Sequence, residues 1–190
     1  MTVLLNFLGS PGVGKTTLSA AVFAKLKSLG IETEYTPEYV KGWVYDGRAI
    51  SPFDQYYLFG QEVLRQSRLF NKVDVVISDS PVMLAAFYQY HYNGKNTLRI
   101  PCHDFYDTAE KVAHVEIVNF VLPRRKEYNP NWRYQTKEES DAISELLKTW
   151  LNFEGYSYYE LKCDDTNRVE EVLEVLRLNK VLTEEKKVGV

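Results

Sequence analysis

The stretch over residues 9–17 constrains the fold of this chain more than any other part of its sequence. It reads Gly-Ser-Pro-Gly-Val-Gly-Lys-Thr-Thr, which is a glycine, four further residues, and then Gly-Lys-Thr. An apolar run of strand length precedes it at residues 3–8, and residues 15–29 repeat apolar side chains at helical spacing. The sequence therefore predicts a strand, a glycine-rich loop and a helix in direct succession, which is typical of a phosphate-binding loop.

Each part of this loop has a predicted role in holding a phosphate. The glycines allow the backbone to curl so that successive N–H groups point inward, and the next helix adds the positive end of its dipole. We expect Lys15 to reach the β- and γ-phosphates and the Thr16 hydroxyl to bind Mg²⁺. The alternative is a glycine-rich turn beside a surface lysine. The loop residues predicted to bind ATP are Gly9, Pro11, Gly12, Val13, Gly14, Lys15, Thr16 and Thr17.

Length and composition favour one soluble domain. The 190 residues suit a single domain over 1–190, with a frayed tail over 180–190. No apolar run reaches membrane-spanning length. The net charge of -3 does not indicate that the whole surface binds nucleic acid. The two cysteines, Cys102 and Cys163, argue against a disulfide scaffold and favour a reducing compartment. We therefore expect a cytoplasmic protein that does not associate with membranes.

Apolar strands alternate with helical patterns along the chain. This alternation is typical of a parallel sheet with helices on both faces, so the predicted fold is an α/β three-layer sandwich with a five-stranded, mostly parallel sheet. The strand over residues 156–161 is the least apolar and is expected nearest an edge. The predicted strands are residues 2–8, 31–36, 73–78, 115–122 and 156–161.

Local signals also predict where helices begin and end. Ser51 followed by Pro52 predicts a helix start, with the helix running to about Phe70. Residues 91–101 contain Asn-Gly and are predicted to form a loop between two helices. Residues 136–139 read Thr-Lys-Glu-Glu, which predicts a capping box at the start of a later helix.

Two acidic residues follow predicted strands at the edge of the sheet that carries the glycine loop. Asp79 follows the strand over residues 73–78, and Glu38 follows the strand over residues 31–36. Ligands of an open parallel sheet bind beyond the carboxyl ends of its strands, so we expect both side chains to face the phosphates. Asp79 is then a predicted Mg²⁺ ligand, directly or through water, and Glu38 a predicted base for an attacking hydroxyl. The alternatives are a helix N-cap for Asp79 and a helix-start acid for Glu38.

Basic residues cluster after the fourth predicted strand, in a polar loop over about residues 123–136 that we interpret as a mobile lid. A lid with several cations can close over the phosphates and stabilise the moving γ-phosphoryl group. Arg125 and Arg133 are the best candidates for catalytic cations, and Arg125 is also predicted to contact ATP. The alternative is a solvated basic loop. The cations of this segment are Arg124, Arg125, Lys126 and Arg133.

Three further side chains are candidates for binding the acceptor. Gln61 and Arg68 lie two helical turns apart, so both project from one face of the predicted helix. A glutamine can bond the edge of a base, and an arginine can grip a polar or anionic partner. Tyr88 belongs to an aromatic-rich stretch that could stack on a base. The alternatives are polar surface positions for the first two and core packing for Tyr88.

These features together resemble the P-loop small-molecule kinases over roughly residues 1–178. Residues 36–40, Thr-Pro-Glu-Tyr-Val, and the segment from Arg133 to Glu139 are most similar to ATPase/kinase-like proteins related to the nicotinamide riboside kinase domain, which are common in phages and bacteria. Gly60-Gln61 and Ser67-Arg68 also resemble deoxyribonucleoside kinases, in which the glutamine reads the base and the arginine lies near the acceptor oxygen. The acidic-Arg-Ser motif of those kinases is replaced here by Asp-Ser-Pro at residues 79–81.

The resemblance implies a kinase that uses ATP and Mg²⁺, with a hydroxyl of a nucleoside- or nucleotide-type acceptor. Glu38 then matches the base of the deoxyribonucleoside kinases, and Asp164-Asp165-Thr166 would border the adenine. A second implied acceptor is the hydroxymethyl group of a modified pyrimidine, of the 5-hydroxymethyluracil type, in DNA. A phage-encoded protein of this kind would act in the host cytoplasm. A homodimer, a regulatory P-loop ATPase and a nucleotide-binding module without chemistry remain alternatives.

Overall fold

A parallel sheet of five strands forms the centre of this chain in a computed structural model that describes residues 1–124, 131, 133–162 and 167–178. The strand order is β2-β3-β1-β4-β5, and every pairing is parallel. The predicted α/β fold is therefore confirmed. The strand expected nearest an edge is β5, and it lies at one edge of the sheet. The strands are β1 Val3–Leu8, β2 Thr33–Thr36, β3 Val75–Ser78, β4 Glu116–Val121 and β5 Tyr159–Glu160.

Helices cover both faces of the sheet. The predicted capping box is present, because the Glu139 backbone N–H donates to Thr136 Oγ1 and the Thr136 N–H donates to Glu139 Oε2 at 2.8 Å. None of the described helices is long and apolar enough to cross a membrane. The helices are α1 Lys15–Ser28, α2 Lys41–Tyr45, α3 Asp54–Ser67, α4 Val82–Asn93, α5 Arg99–Lys111, α6 Lys137–Glu154 and α7 Arg168–Leu178.

The predicted start of α3 and the predicted bounds of the loop after α4 are wrong. Helix α3 begins at Asp54 rather than just after Ser51, because Pro52 and Phe53 form a separate turn. The loop predicted over residues 91–101 is shorter, because α4 continues to Asn93 and α5 already begins at Arg99. In the last turn of α4, His91 stacks on Phe87 with ring centroids 5.7 Å apart, and such i,i+4 contacts extend a helix.

The apolar core lies in two layers, one on each face of the sheet. Leu4 and Leu8 of β1 pack with α4, α5 and α6, whereas Val3, Leu5 and Phe7 of the same strand pack with α1 and α7. A strand buried on both faces reads as a continuous apolar run, which explains why β1 was evident from the sequence. The two layers hold the carboxyl ends of β1, β2 and β3 at one edge of the sheet, beside the glycine loop.

Some predictions fall on residues that the structure does not describe. They concern Arg125 in the predicted lid, the adenine-bordering stretch Asp164-Asp165-Thr166, and the tail over residues 180–190. These predictions lie outside the described residues.

Candidate active site

The glycine loop joins the end of β1 at Leu8 to the start of α1 at Lys15. Three of its glycines have positive φ angles, 151° at Gly9, 82° at Gly12 and 96° at Gly14. A Cβ atom added to Gly9 would lie 2.8 Å from Val13 Cγ2 and 3.2 Å from the Leu122 carbonyl oxygen. Both the backbone angle and the lack of space therefore require glycine at position 9.

We expect Gly9→Ala to lower the free energy of unfolding by about 1–3 kcal/mol, because it combines a strained backbone with a buried clash. The matched control is Gly60→Ala on α3, where the space around an added Cβ is empty and helix propensity predicts a gain of about 0.5–1 kcal/mol. Urea denaturation of both variants measures the difference. Equal stability of the two variants would contradict this account of the loop.

Side chains from α6 hold the loop in place. The Ser10 and Ser144 hydroxyls are 2.7 Å apart, and Ser140 Oγ donates to the Pro11 carbonyl at 2.6 Å. Ser140 also accepts a hydrogen bond of 2.8 Å from Arg124. The two α6 serines are one helical turn apart and so share a face. Sequence reasoning missed both serines, since their spacing alone does not show which element they contact.

Asp79 lies at the carboxyl end of β3, directly beside the loop. Its Oδ2 accepts hydrogen bonds from the Thr16 hydroxyl at 2.7 Å and from the Tyr35 hydroxyl at 2.6 Å. The residue is 1% exposed, and its Oδ1 has no hydrogen-bond partner among the described residues. A buried carboxylate oxygen without a donor is costly unless a ligand satisfies it. The hydroxyl of Thr16 and the free oxygen of Asp79 are hard oxygen donors of the kind that Mg²⁺ prefers, so the predicted metal pair fits that ion.

Tyr35 is a site residue that sequence reasoning missed. Two causes raise the pKa of the Tyr35 hydroxyl well above its usual range. Burial is the larger, and the hydrogen bond to Asp79 is the second. The phenol therefore stays protonated and donates to Asp79. It reaches Asp79 because β2 and β3 are paired neighbours and the two residues sit near the same end of the pair.

The structure brings the predicted catalytic side chains of the described region together. Lys15 donates from Nζ to the carbonyls of Gly9 at 2.7 Å and Ser10 at 3.1 Å. Burial lowers the pKa of Lys15, while the nearby Glu38 and Asp79 carboxylates act in the opposite direction. Burial raises the pKa of Glu38, opposed chiefly by Lys15.

Arg133 also acts on Lys15 and Glu38, because its charge lowers the pKa of both groups. The arginine lies on the segment before α6, within the predicted lid. Among the predicted lid cations, Arg133 thus lines the cavity, whereas Arg124 donates to Ser140 and the Lys137 carbonyl of α6 and, at 3.4 Å, to Ser10 of the glycine loop. A cation beside Lys15 is suited to stabilising charge on a moving phosphoryl group.

A cavity of about 90 Å³ opens beside Lys15 and Glu38. A larger cavity of about 850 Å³ adjoins it, because residues such as Gln55, Tyr92 and Arg133 line both. Tyr88, predicted from its aromatic surroundings, lines the smaller cavity and stacks on Tyr92 with ring centroids 5.8 Å apart. The apolar and aromatic part of this smaller cavity's lining includes Val40, Val44, Ile50, Leu58, Leu84, Ala85, Tyr88 and Tyr92.

The predicted acceptor residues Gln61 and Arg68 do not line either cavity. Successive residues of an α-helix are rotated by about 100°, so the neighbouring position, Glu62, faces the cavity instead of Gln61. Arg68 lies just beyond the end of α3, is exposed, and donates from Nε to the Leu64 carbonyl at 3.3 Å. The structure therefore places Gln61 and Arg68 outside both cavities, and their role in binding an acceptor stays a prediction.

The α3 residues that line the smaller cavity are Gln55, Leu58 and Glu62. Glu62 is 3% exposed and accepts a hydrogen bond of 3.3 Å from the Tyr39 backbone N–H through Oε1. Burial raises the pKa of the Glu62 carboxyl to about 7. The spacing of three and four residues places these side chains on one helical face, and that pattern was the signal that sequence reasoning could have used.

Solved structures share this fold. A thymidylate kinase from Ehrlichia chaffeensis matches with a TM-score of 0.66 and 14% identity, covering 92% of this chain and 98% of the other. A deoxyadenosine kinase from M. mycoides matches with a TM-score of 0.60 and 15% identity, covering 93% and 100%. NadR protein in complex with NR matches with a TM-score of 0.70 and 15% identity. The match covers 96% of this chain and 52% of the NadR chain.

The sequence itself also has a family match. No curated protein matches the chain, but residues 4–168 match the AAA domain family. This range is most of the chain and contains the glycine loop, Glu38 and Asp79. The chain therefore belongs to the AAA domain family of P-loop proteins and has the fold of the P-loop kinases.

Proposed function

We propose that this protein is a kinase that transfers the γ-phosphate of ATP to a hydroxyl of a nucleoside- or nucleotide-type acceptor. One observation carries the proposal. Lys15, Glu38, Asp79 and Arg133 converge where the glycine loop meets a cavity with apolar and aromatic walls. A triphosphate on the loop and an acceptor in the cavity would lie side by side there, which is what positioning catalysis of phosphoryl transfer needs.

The loop and its neighbours divide the binding of MgATP between them. The backbone N–H groups of the loop and Lys15 would hold the phosphates, and Thr16 and Asp79 would hold Mg²⁺. When bound, Mg²⁺ neutralises charge on the phosphate oxygens. Tyr35 keeps the Asp79 carboxylate oriented through its hydrogen bond of 2.6 Å. Arg133 adds positive charge on the side of the predicted lid.

Transfer in this site follows a simple balance of bonds. The acceptor oxygen bonds to the γ-phosphorus while the bond from that phosphorus to the bridging β–γ oxygen breaks, which releases ADP. The hydroxyl proton passes to the Glu38 carboxylate. Partial burial of Glu38 raises its pKa and so makes the carboxylate a stronger base than an exposed glutamate.

The cavity walls support a nucleoside-type acceptor. Leu58 and Tyr88 are flat or apolar surfaces suited to a ring, and Gln55 offers an amide to the edge of a base. Gln55 is thus our candidate for the contact to the base edge that the sequence had suggested for Gln61. Two of the solved structures with this fold are a thymidylate kinase and a deoxyadenosine kinase, which favours an acceptor of this chemical class.

Transfer of radiolabelled γ-phosphate from ATP to a panel of acceptors tests the proposal. The panel contains nucleosides, their monophosphates, nicotinamide riboside, and DNA with 5-hydroxymethyluracil. We expect transfer to at least one nucleoside-type acceptor. Transfer to the modified DNA alone would instead support the DNA-modifying alternative.

Glu38→Gln should reduce kcat for this transfer about 10²- to 10⁴-fold, because the amide cannot take the hydroxyl proton. Binding of ATP should change less than transfer, since the loop N–H groups and Lys15, rather than Glu38, would hold the phosphates. Initial rates at saturating ATP measure the loss, and Glu34→Gln on the exposed face of β2 is the matched control. Transfer at the wild-type rate in Glu38→Gln would remove Glu38 from the mechanism.

The family match favours a second candidate, a regulatory ATPase. The same site would then direct the γ-phosphoryl group to water. The two functions differ in their need for an acceptor. ATP turnover that rises strongly when an acceptor is added supports the kinase, whereas steady turnover that no acceptor changes supports the ATPase.

A further inference from the structure

Glu62 of α3 is a buried carboxylate that the transfer chemistry described above does not use. It lines the smaller cavity together with Glu38, which directly precedes Tyr39 in the chain. One oxygen, Oε1, accepts the Tyr39 backbone N–H at 3.3 Å. The other, Oε2, is buried and has no hydrogen-bond partner in the part of the chain that the structure describes. A buried oxygen without a hydrogen bond is unfavourable, so a ligand that donates to Oε2 would be stabilised there.

The charges of α3 are arranged so that this helix presents no cation to the cavity. Arg65 and Arg68 both belong to or follow α3, but neither lines the cavity. The lining positions of α3 instead carry an amide, an apolar group and the carboxyl of Glu62. The cations that do line the cavity, within the described residues, come from other elements and are Lys15, Lys41 and Arg133.

Those three cations already face another acid. Each of them acts on Glu38 and opposes the rise in its pKa that burial causes. Glu62 lines the same cavity, and the charges that act on it are Arg65, Glu38 and Asp79. The cavity is therefore bordered by two carboxyl groups, Glu38 and Glu62, whose oxygens can accept hydrogen bonds.

Resting on the proposed function, we propose that Glu62 selects an unphosphorylated acceptor, so that a nucleoside-type alcohol is accepted and its 5′-monophosphate is rejected. An alcohol carries O–H donors that suit the Oε2 of Glu62. A monophosphate at neutral pH carries a charge of about −1.5 to −2 and offers mainly acceptor oxygens. Placed beside Glu38 and Glu62 it would meet like charges, and the α3 wall offers it no cation. Glu62 is thus a specificity-determining residue, distinct from the proposed base.

The test compares kcat/KM for nucleosides and for their 5′-monophosphates at saturating MgATP. The pairs are thymidine, deoxyadenosine, cytidine and nicotinamide riboside, each with its monophosphate. Glu62→Gln is the informative variant, because its amide oxygen can still accept the Tyr39 N–H while the negative charge is lost. Glu145→Gln on the exposed face of α6 is the matched control. Thermal unfolding of each variant checks that the fold is retained.

We expect the wild type to prefer the nucleoside by about 100-fold or more, and Glu62→Gln to narrow this preference by about tenfold. The control should not change the ratio. An unchanged ratio in Glu62→Gln, or a wild type that prefers the monophosphate, would overturn this inference and leave the kinase proposal in place. Failure of every pair to accept phosphate would overturn the proposed function and this inference with it.

The pH dependence of the same ratio gives a second readout. Burial raises the pKa of Glu62 to about 7, so the group is a neutral acid below that pH and a carboxylate above it. The preference for the nucleoside should fall in the wild type as the pH is lowered through about 7, and it should fall less in Glu62→Gln. The acceptor phosphate gains its own proton near pH ~6 in both proteins, so only the difference between them reports on Glu62. Identical pH profiles would contradict the role of Glu62. The other charged or titratable groups around it are Lys15, Glu38, Lys41, Arg65, Asp79, Tyr88 and Arg133.

Discussion

Lys15→Ala should reduce phosphoryl transfer by about 10³-fold or more while leaving the protein folded. Lys15 is the cation at the start of α1, and it is the residue that the glycine loop wraps around. Alanine removes the charge that would contact the β- and γ-phosphates as negative charge shifts during transfer. No other described side chain can replace it from the same position, because Arg133 reaches the site from the segment before α6.

Two measurements separate this effect from misfolding. Lys27→Ala, on the exposed face of the same helix, should keep wild-type transfer and wild-type thermal stability. Binding of a fluorescent ATP analogue to Lys15→Ala should weaken, since the loop loses its cation but keeps its backbone N–H groups. Full transfer activity in Lys15→Ala would contradict the assignment of the loop as the catalytic phosphate site.

Asp79→Asn should lower kcat/KM with MgATP at least ~10²-fold, while the free energy of unfolding changes little. Asparagine can keep one oxygen in place to accept the hydrogen bonds from Thr16 and Tyr35. Its amide replaces the carboxylate oxygen that has no partner among the described residues. The substitution therefore removes the charge suited to Mg²⁺ but preserves the contacts that hold the side chain.

Nucleotide binding with and without Mg²⁺ provides a readout for Asp79→Asn that does not depend on turnover. Added Mg²⁺ should strengthen ATP binding in the wild type and have a much smaller effect in the variant. In the absence of Mg²⁺ the variant should bind ATP at least as well, because a negative charge near the phosphates is gone. Asp107→Asn, which alters an exposed ion pair with Lys111 on α5, is the control. An unchanged Mg²⁺ dependence in Asp79→Asn would exclude Asp79 from the metal site.

Features that depend on neighbouring residues were predictable from the sequence. The glycine loop is one, since three glycines with positive φ and the lysine after them lie within one short stretch. The capping box at Thr136 and Glu139 is another, because both of its hydrogen bonds connect residues three apart. The strands were recognisable because sheets covered on both faces need continuous apolar runs. The carboxyl-edge position of Asp79 and Glu38 followed from the rule that parallel strands end at the same edge.

Features that depend on how elements rotate and pack were decided by the tertiary structure. Tyr35 and Asp79 are 44 residues apart and Ser10 and Ser144 are 134 apart, and no local pattern links either pair. The rotation of α3 placed Gln55 and Glu62 in the cavity and left Gln61 and Arg68 outside it. One residue of difference turns a side chain by about 100°, and only the packing of α3 against α4 and the sheet sets that angle. The amino-acid order thus predicted the phosphate-binding loop, whereas the packing of the helices decided which side chains line the cavity beside it.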